Sequence, residues 1–399
     1  MPDRRSFLKS GAAAAGALSL GPEALVGLST AGAHPENGGP LDDPRQTEPA
    51  RASRALDILI LGGTSFLGPH QVHLALQRGH SVSTFTRGRT EPRLYAADFD
   101  SVEALVGDRE DDLTALEGRR WDVVIDNSTR RAAWAEASVD LLRDAADHYV
   151  FISSTGVYYP YLTEGVGEDG PVAMEDSRGG DDGSMAYGVM KAQGEEAVRR
   201  GFGDRAIVLR PGHIAGPGDT QPGRFPYWTT RMERGGEVLA PGRRSDPVQL
   251  VDVRDLTDFM FHLFETGVGG TYNVVGPASP MTMEGFLHGM RACTGEPVEF
   301  VWADDHDWLQ ENRLTGFIPW VLPRGDELAH MSVDGSRARE AGLTLRPLAR
   351  TVFDVMDWWH SDAFGAEARE TVRFRLDAET EAELIAAWRS REAGGAGSP

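Results

Sequence analysis

The stretch Asp57–Gly68 reads DILILGGTSFLG and decides the fold of this chain. Its first five residues form a short apolar run of the kind that is buried in a parallel sheet. A glycine-rich turn follows at once, and an amphipathic helical pattern begins after it. Strand, glycine turn and helix N-terminus together provide the backbone N–H groups that bind a pyrophosphate. We therefore predict a dinucleotide site here, against the alternative of a tight turn without a ligand. The residues predicted to contact the cofactor in this turn are Gly62, Gly63, Thr64, Ser65, Phe66, Leu67 and Gly68.

Further apolar segments follow at the spacing of alternating strands and helices. We predict strands at 81–86, 121–127 and 149–153, with a helical stretch at 131–146 between the last two. This alternation predicts an α/β fold, a Rossmann-like doubly wound parallel sheet with a smaller C-terminal substrate lobe. In such sheets the ligand binds at the carboxyl ends of the strands.

The end of the second strand bears on the choice of cofactor. A site that prefers NAD usually has an acid here for the ribose hydroxyls, whereas this chain has Thr86-Arg87-Gly88-Arg89. Arg87 or Arg89 could face a 2′-phosphate, which favours NADP over NAD, although both arginines could instead be solvated on a loop. Asp108 is predicted on the adenine side, and Asn127 follows the next strand at the same edge.

Tyr187 and Lys191 lie four residues apart in a predicted helix, so their side chains share one face. A cation beside a phenol lowers its pKa, and tyrosine can then exchange a proton with a substrate hydroxyl. Ser154, at the end of a serine-rich strand, is expected to hold the same oxygen. Lys191 is one of two lysines beside 38 arginines, the other being Lys9 in the amino-terminal targeting segment. We predict that Ser154, Tyr187 and Lys191 are catalytic, rather than a chance pair on a surface helix.

With these motifs the chain resembles the extended short-chain dehydrogenase/reductases, the NAD-dependent epimerase/dehydratase family, over about residues 56–360. The landmarks are the glycine turn, Ser154, Tyr187 with Lys191, and the run from Leu209 to Asp219. The resemblance implies the same three catalytic residues and places Pro211 beside the nicotinamide. It also likens Thr271–Val274 to a strand of the substrate lobe.

The chain departs from the family pattern at several positions. Ser65 replaces the middle glycine of the turn, and the acid that ends the second strand is missing. Dehydratases of the family usually carry an acidic pair where this chain has Thr155 and Gly156, so dehydration is disfavoured. The turn and the 224–228 stretch also resemble chloroplast stem-loop-binding members, some of which bind RNA.

Composition restricts the partners. The 399 residues carry a formal net charge of −21, which repels phosphate backbones and anionic membranes, so we predict no nucleic acid and no membrane insertion. Cys293 is the one cysteine, which excludes an intrachain disulfide, and it is predicted to be a buried small residue. The histidines form no HExxH-like set, and no metal is predicted.

The amino terminus reads as a twin-arginine signal peptide over residues 1–33, with Arg4-Arg5, a short apolar run and a small-residue cleavage site. This pattern predicts export to the periplasm or the extracellular space. The alternative is that the segment is a disordered basic tail. Because this route is understood to carry folded proteins, we expect the cofactor to be exported with the chain. A flexible linker is predicted at 34–54.

The remaining boundaries are a dinucleotide-binding domain at 55–210, an interleaved substrate lobe at 211–361 and a charged helical tail at 362–399. Arg224, Tyr227 and Arg254 are candidate residues for binding a sugar-like small molecule, and the alternative for each is a structural salt bridge or a core role. The tail could pack on the body or serve an oligomer contact, and a homodimer is left open.

These observations predict an NAD(P)-dependent epimerase or oxidoreductase that acts on a hydroxyl or carbonyl carbon. An epimerase regenerates its own cofactor, which suits an exported protein, whereas a net reductase requires cofactor exchange. The rival class is a catalytically idle dinucleotide-binding or RNA-binding member of the same family.

Overall fold

A computed structural model describes residues 50–127, 130–177, 183–220, 224–374 and 376–395. The predicted signal peptide and all but the end of the predicted linker lie outside these residues. The strands are β1 (Asp57–Leu61), β2 (Ser81–Thr86), β3 (Glu103–Val106), β4 (Trp121–Asp126), β5 (Ala146–Ile152), β6 (Ala206–Pro211), β7 (Ile214–Ala215), β8 (Gly236–Pro241), β9 (Pro247–Val248), β10 (Val251–Asp252), β11 (Gly270–Val274), β12 (Met281–Thr282), β13 (Val298–Ala303), β14 (Gly316–Phe317) and β15 (Trp320–Val321). The helices are α1 (Leu67–Arg78), α2 (Ala132–Leu142), α3 (Gly183–Phe202), α4 (Phe225–Glu233), α5 (Val253–Thr266), α6 (Met283–Ala292), α7 (His306–Glu311), α8 (Ser336–Glu340), α9 (Leu348–His360), α10 (Ala366–Thr371) and α11 (Ala378–Gly395).

The central sheet has seven parallel strands in the order β11-β6-β5-β4-β1-β2-β3. The chain starts in the middle at β1, moves outward to β3, and then returns to build the other half from β4. The order therefore reverses beside β1, which is where a doubly wound sheet leaves a crevice at its carboxyl edge. This confirms the predicted Rossmann-like architecture.

Helices cover both faces of the sheet because the strands are apolar on both sides. Ile58 and Ile60 of β1 belong to a core that includes Val72 of α1 and Leu256 of α5. Leu59 and Leu61 point to the other face, where the core includes Val139 of α2 and Val198 of α3. Burial on both faces explains why these strands read as continuous apolar runs.

The substrate lobe has its own core around the parallel pair β8 and β13. Helices α4, α6 and α9 pack on it, and α11 adds Ile385 and Trp388 to the same core. The charged tail therefore packs on the body of this chain, one of the two alternatives that the sequence left open. Cys293 packs partly buried against this core. Within the described residues, no helix is long and apolar enough to cross a membrane.

One strand lies elsewhere than the resemblance suggested. Thr271–Val274, likened above to a strand of the substrate lobe, forms most of β11 and pairs in parallel with β6 at the edge of the central sheet. Asn273 is fully buried there, and Tyr272 packs in the core between sheet and α5. The last strand of the central sheet is therefore formed by residues that come after the first part of the substrate lobe in the sequence.

Candidate active site

The glycine turn is shaped by close packing at the carboxyl end of β1. Gly62 has a φ of 83°, a conformation that L side chains rarely adopt. A Cβ on Gly68 would lie 2.1 Å from the carbonyl oxygen of Gly63, so the start of α1 packs directly on the turn. Asn127 donates to the Gly62 carbonyl at 3.3 Å and exchanges two amide hydrogen bonds with Gln71. The close packing at Gly68 and the hydrogen bonds of Asn127 therefore fix the conformation of the turn, and the N-terminus of α1 faces the cleft.

The cleft continues along the ends of β2 and β3. Thr86, Arg87 and Arg89 line it, and so does Asp108. Arg87 and Arg89 are exposed, and neither takes part in a hydrogen bond or ion pair with another residue that the structure describes. Both guanidinium groups are thus available to an anionic ligand at this end of the cleft.

A buried ion pair forms the floor of the cleft beside β4. Arg109 binds Asp126 through two hydrogen bonds, of 2.8 and 3.0 Å, and Tyr149 donates to the same carboxylate at 2.6 Å. Asp126 is fully buried and closes β4. This carboxylate opposes the effect of burial on the pKa of Lys191, so the floor is coupled electrostatically to the lysine.

Ser154 and Tyr187 meet beside Lys191. Ser154 follows β5 and caps a short 3-10 helix at Thr155–Tyr158, where its Oγ accepts from the Gly156 N–H at 3.0 Å. The hydroxyl of Ser154 also shares a hydrogen bond with that of Tyr187, which projects from α3 into the cleft and is 39% exposed. The Lys191 ammonium donates to the Ile152 carbonyl at 2.7 Å and lies 5.9 Å from the centroid of the Tyr187 ring.

The protonation of this group differs from the prediction in one respect. Burial raises the pKa of Tyr187 above its ordinary value, and the Ser154 hydrogen bond and the Arg224 charge only oppose that rise. The expected net lowering of the pKa of Tyr187 is therefore corrected. Burial lowers the pKa of Lys191 to about 8, because an ammonium with 1% exposure loses most of its hydration.

A buried polar network holds α3 against the sheet. Glu195 accepts hydrogen bonds from Ser153 at 2.5 Å and from the Arg210 guanidinium at 2.8 and 2.6 Å. Arg210 of β6 also donates to the Tyr158 hydroxyl, which donates in turn to Asn273 of β11. The helix that carries Tyr187 and Lys191 is thereby tied to β6, to β11 and to the residue that follows β5.

The cleft is cationic although the chain is acidic overall. One cavity of about 850 Å³ contains the glycine turn, the strand ends and the Tyr187 region. Its cationic lining side chains are Arg87, Arg89, Arg109, Arg130, Lys191 and Arg224, and its acidic ones are Asp108 and Glu327. Arg109 and Arg224 are already paired with Asp126 and Asp219, and the remaining cations of the lining attract an anionic ligand.

Most predicted site residues line this cleft, but Gly63, Gly68, Tyr227 and Arg254 do not, and the two glycines are buried within the turn. Pro211 and Arg224 line it, and Arg224 is held by Asp219 at 2.7 Å. Tyr227 is 2% exposed in the core of the substrate lobe, so its predicted contact with substrate is corrected. Arg254 binds Asp252 and Asp354 in an ion-pair network outside the lining of the cleft, which corrects its role as a substrate anchor.

The structure adds residues that sequence reasoning missed. Tyr161, His213, Glu327 and His330 all line the cavity. Glu327 and His330 are about 140 positions from Tyr187, and no local motif joins them to it. Among the residues that the structure describes, no group of three or more His, Cys, Asp or Glu is placed to hold a metal ion.

Two regions of the chain match known families. Residues 1–21 match the signal sequence of the TAT (twin-arginine translocation) pathway, which supports export by that route. The Epimerase family protein SDR39U1 of Bos taurus is 29% identical over 259 residues, 60% of this chain and 81% of that protein. The chloroplast stem-loop binding protein of 41 kDa b of Arabidopsis thaliana is 30% identical over 217 residues, 51% of this chain. The match spans 54%, about half, of the Arabidopsis protein.

Solved structures share the fold at low identity. The Bordetella bronchiseptica enzyme WbmH in complex with NAD+ aligns with a TM-score of 0.57 and 17% identity, over 78% of this chain and 100% of that one. A double mutant of DesIV (dTDP-glucose 4,6-dehydratase) from Streptomyces venezuelae aligns with a TM-score of 0.57 and 18% identity, over 78% and 99%. The model of the NAD dependent epimerase/dehydratase family matches residues 58–275, more than half of the chain, and the protein belongs to that family.

Proposed function

We propose that this protein is an NAD(P)-dependent epimerase or oxidoreductase that interconverts a hydroxyl and a carbonyl on a sugar-like substrate. The observation that carries this proposal is the convergence of Ser154, Tyr187 and Lys191 in the cavity that also contains the glycine turn. A chance tyrosine–lysine pair on a surface helix would not be expected to line the same cleft as a glycine turn of the kind that binds pyrophosphate. The family match supports dinucleotide chemistry in general terms.

The residues present fit a dinucleotide. The N-terminus of α1 and the turn at Gly62 offer backbone N–H groups to a pyrophosphate, and a side chain on Gly68 would clash with the turn. Thr86 to Arg89 and Asp108 would hold the adenosine end, whereas Pro211 would lie at the nicotinamide end. When bound, the nicotinamide ring accepts or supplies the hydride.

In this proposal Tyr187 is the residue that transfers the proton. Its hydroxyl exchanges a proton with the substrate oxygen, and Ser154 holds that oxygen through a hydrogen bond. The Lys191 ammonium lies behind the ring and favours the phenolate by its charge. Burial raises the pKa of Tyr187, and the Ser154 hydrogen bond and the Arg224 charge oppose that rise, so both groups would assist proton transfer near neutral pH.

Replacing Tyr187 tests the mechanism. We expect Y187F to lower hydride transfer by about 10²–10⁴-fold, because the proton acceptor is lost. Its dinucleotide affinity should change little, since the glycine turn is untouched. Nicotinamide absorbance reports the reaction with UDP-glucose and with free hexoses, and calorimetry reports binding. Y95F is the control, because Tyr95 does not line the cavity. Full activity in the Y187F variant would contradict this mechanism.

For the cofactor, we infer a preference for NADP over NAD. Arg87 and Arg89 line the ribose end of the cleft, where no acid ends β2. A lost hydrogen bond to a charged group costs about 1.5–3 kcal/mol, so R87A or R89A should weaken NADP+ binding roughly tenfold or more and leave NAD+ binding nearly unchanged. R93A on the same loop is the control, because Arg93 does not line the cavity. Equal losses for both dinucleotides would contradict this preference.

Export favours an epimerase over a net reductase. Nicotinamide cofactor is scarce outside the cytoplasm, and an epimerase restores its cofactor in each cycle. The test is to purify the exported protein, denature it and identify the released dinucleotide by absorbance and mass. Stoichiometric cofactor supports the self-regenerating enzyme, whereas an empty protein that binds neither dinucleotide leaves the rival class of idle family member.

RNA binding remains the second candidate because of the name of the Arabidopsis relative. The net charge of −21 opposes it, since a phosphate backbone would be repelled by most of the surface. A gel-shift with a stem-loop RNA at physiological salt separates the two functions.

A further inference from the structure

Four side chains form a second polar group inside the same cavity as Tyr187, which we call the imidazole cluster. It consists of Tyr161, His213, Glu327 and His330. Neither the glycine turn nor the proton transfer described above uses any of them. Their chemistry therefore requires a separate account.

His330 is held in one orientation by two contacts. Its Nδ1 lies 2.7 Å from Oε2 of Glu327, and its ring stacks on that of Tyr161 with centroids 3.9 Å apart and planes 8° apart. A carboxylate only accepts hydrogen bonds, so Nδ1 donates its proton to Glu327. With its proton at Nδ1, the ring presents Nε2 as the acceptor, the arrangement of a general base oriented by a carboxylate.

His213 supplies the second observation. Its Nδ1 is buried and has no hydrogen-bond partner among the residues that the structure describes. Burial and the neighbouring His330 and Arg224 lower the pKa of His213 well below its ordinary value, so the ring is neutral at physiological pH. Its centroid lies 5.1 Å from that of His330. A buried polar atom without a partner is costly, which marks this side of the cluster as strained for a polar group.

The cluster is fixed to the rest of the site by backbone pairing. The Tyr161 N–H donates to the Asp326 carbonyl at 2.7 Å, and the Ala329 N–H donates to the Tyr161 carbonyl at 2.9 Å. The Tyr161 side chain is hydrogen-bonded to Thr155, the residue after Ser154. The segment that carries Glu327 and His330 is thus attached to the segment that carries Ser154.

We propose that His330 is a second proton-transfer residue, which removes and returns the proton on the carbon next to the substrate carbonyl. The proposal rests on the proposed function, in which that carbonyl forms. The C–H bond breaks, its electron pair becomes the new carbon–carbon double bond, and the proton goes to Nε2 of His330. The carbonyl electron pair moves to the oxygen, which Ser154 holds through the hydrogen bond of the proposed function. Return of the proton restores the ketone. The substrate therefore has a C–H bond beside the carbonyl carbon, as a hydroxyketone or the polyol from which it forms does.

Proton exchange with solvent tests this without hydride transfer. The full-length protein with NADP+ is incubated with dihydroxyacetone in D2O, and deuterium in its CH2 groups is followed by NMR. We expect the wild type to exceed the buffer rate and H330N to lose about 10²-fold or more of that excess, since asparagine keeps a donor to Glu327 but has no base. H360N is the matched control, because His360 pairs with Glu233 on the surface.

Two further variants make each outcome decisive. Hydride transfer is measured on the same proteins: a wild type without hydride transfer would remove the proposed function, whereas a wild type with hydride transfer and an H330N variant that exchanges as fast as wild type would remove the role of His330. Glu327 is a positioning residue, so E327A should slow exchange with His330 still present, and E327D should restore part of the rate. NADP+ affinity shows that each variant is folded. A wild type no faster than buffer, an H330N variant as fast as wild type, or no difference between E327A and E327D would overturn the proposal.

Discussion

Lys191 is an ammonium group that the fold has almost completely removed from water. Burial lowers its pKa from the ordinary 10.5 to about 8, although Asp126 and Glu195 oppose the change. Below pH 8 the lysine is protonated in both the folded and the unfolded chain. Between about pH 8 and 10.5 the unfolded chain binds a proton that the folded chain does not, so the free energy of unfolding rises with pH. Over the whole window the rise is roughly 3 kcal/mol.

Labelling with ¹³C-lysine measures this directly, because the chain contains two lysines and K191R identifies the signal of Lys191. We expect a titration midpoint near pH 8. Urea unfolding should show a rise in stability between pH 8 and 10 that K191M lacks. A midpoint above pH 10 would contradict the burial argument and would leave the ammonium charged in all working conditions.

Local spacing was enough to find Ser154, Tyr187 and Lys191, because a strand end and one helix face bring them together. It was not enough for Tyr227, since most residues of α4 are buried and the sequence pattern does not say which of them meet the cleft and which meet the lobe core. Glu327 and His330 reach the cavity through long-range packing. Their place could not be predicted from neighbours in the sequence.

Helix α3 positions the site because it lies unusually close to the segment after β5. A Cβ on Gly188 would lie 2.3 Å from the carbonyl oxygen of Gly156. G188A should therefore push the helix outward, cost about 1–3 kcal/mol of unfolding free energy, and separate Tyr187 from Ser154. Urea unfolding and hydride transfer measure the two effects.

Gly183, at the start of the same helix, provides the matched control. A Cβ there meets no atom within 4 Å in the described structure, so G183A should leave stability and activity unchanged or slightly improved. If G188A behaved like G183A, the close approach would have no role in placing Tyr187.

The elements themselves were largely predictable, and their pairing was not. The β2 prediction of 81–86 coincides with the observed strand, because apolar run and flanking turns are local signals. The prediction placed β11 in the substrate lobe, which was wrong. Its partner β6 is some sixty residues away, and the sequence of Gly270–Val274 does not indicate which edge of which sheet the strand joins. Residues of α5 share one hydrophobic core with Leu209 of β6 and Tyr272 of β11.

Charge separates the cleft from the rest of the molecule. The chain carries −21 overall, yet six cationic and two acidic side chains line the cavity. An acidic exterior repels polyanions, whereas a recessed cationic cleft still binds a small anion once it enters. This distribution suits a dinucleotide better than an RNA backbone, which would have to run along the acidic surface.

The carboxyl-terminal helix is part of the molecule's core. Trp388 is 4% exposed and packs edge-on against Trp308, with ring centroids 5.0 Å apart. W388A should therefore lower the free energy of unfolding by about 3–5 kcal/mol, measured in urea, and leave dinucleotide affinity unchanged because Trp388 is outside the cleft. R391A, which removes a half-exposed ion pair with Asp305, should cost at most about 1 kcal/mol. A W388A variant of unchanged stability but altered mass in light scattering would show instead that α11 is an oligomer contact.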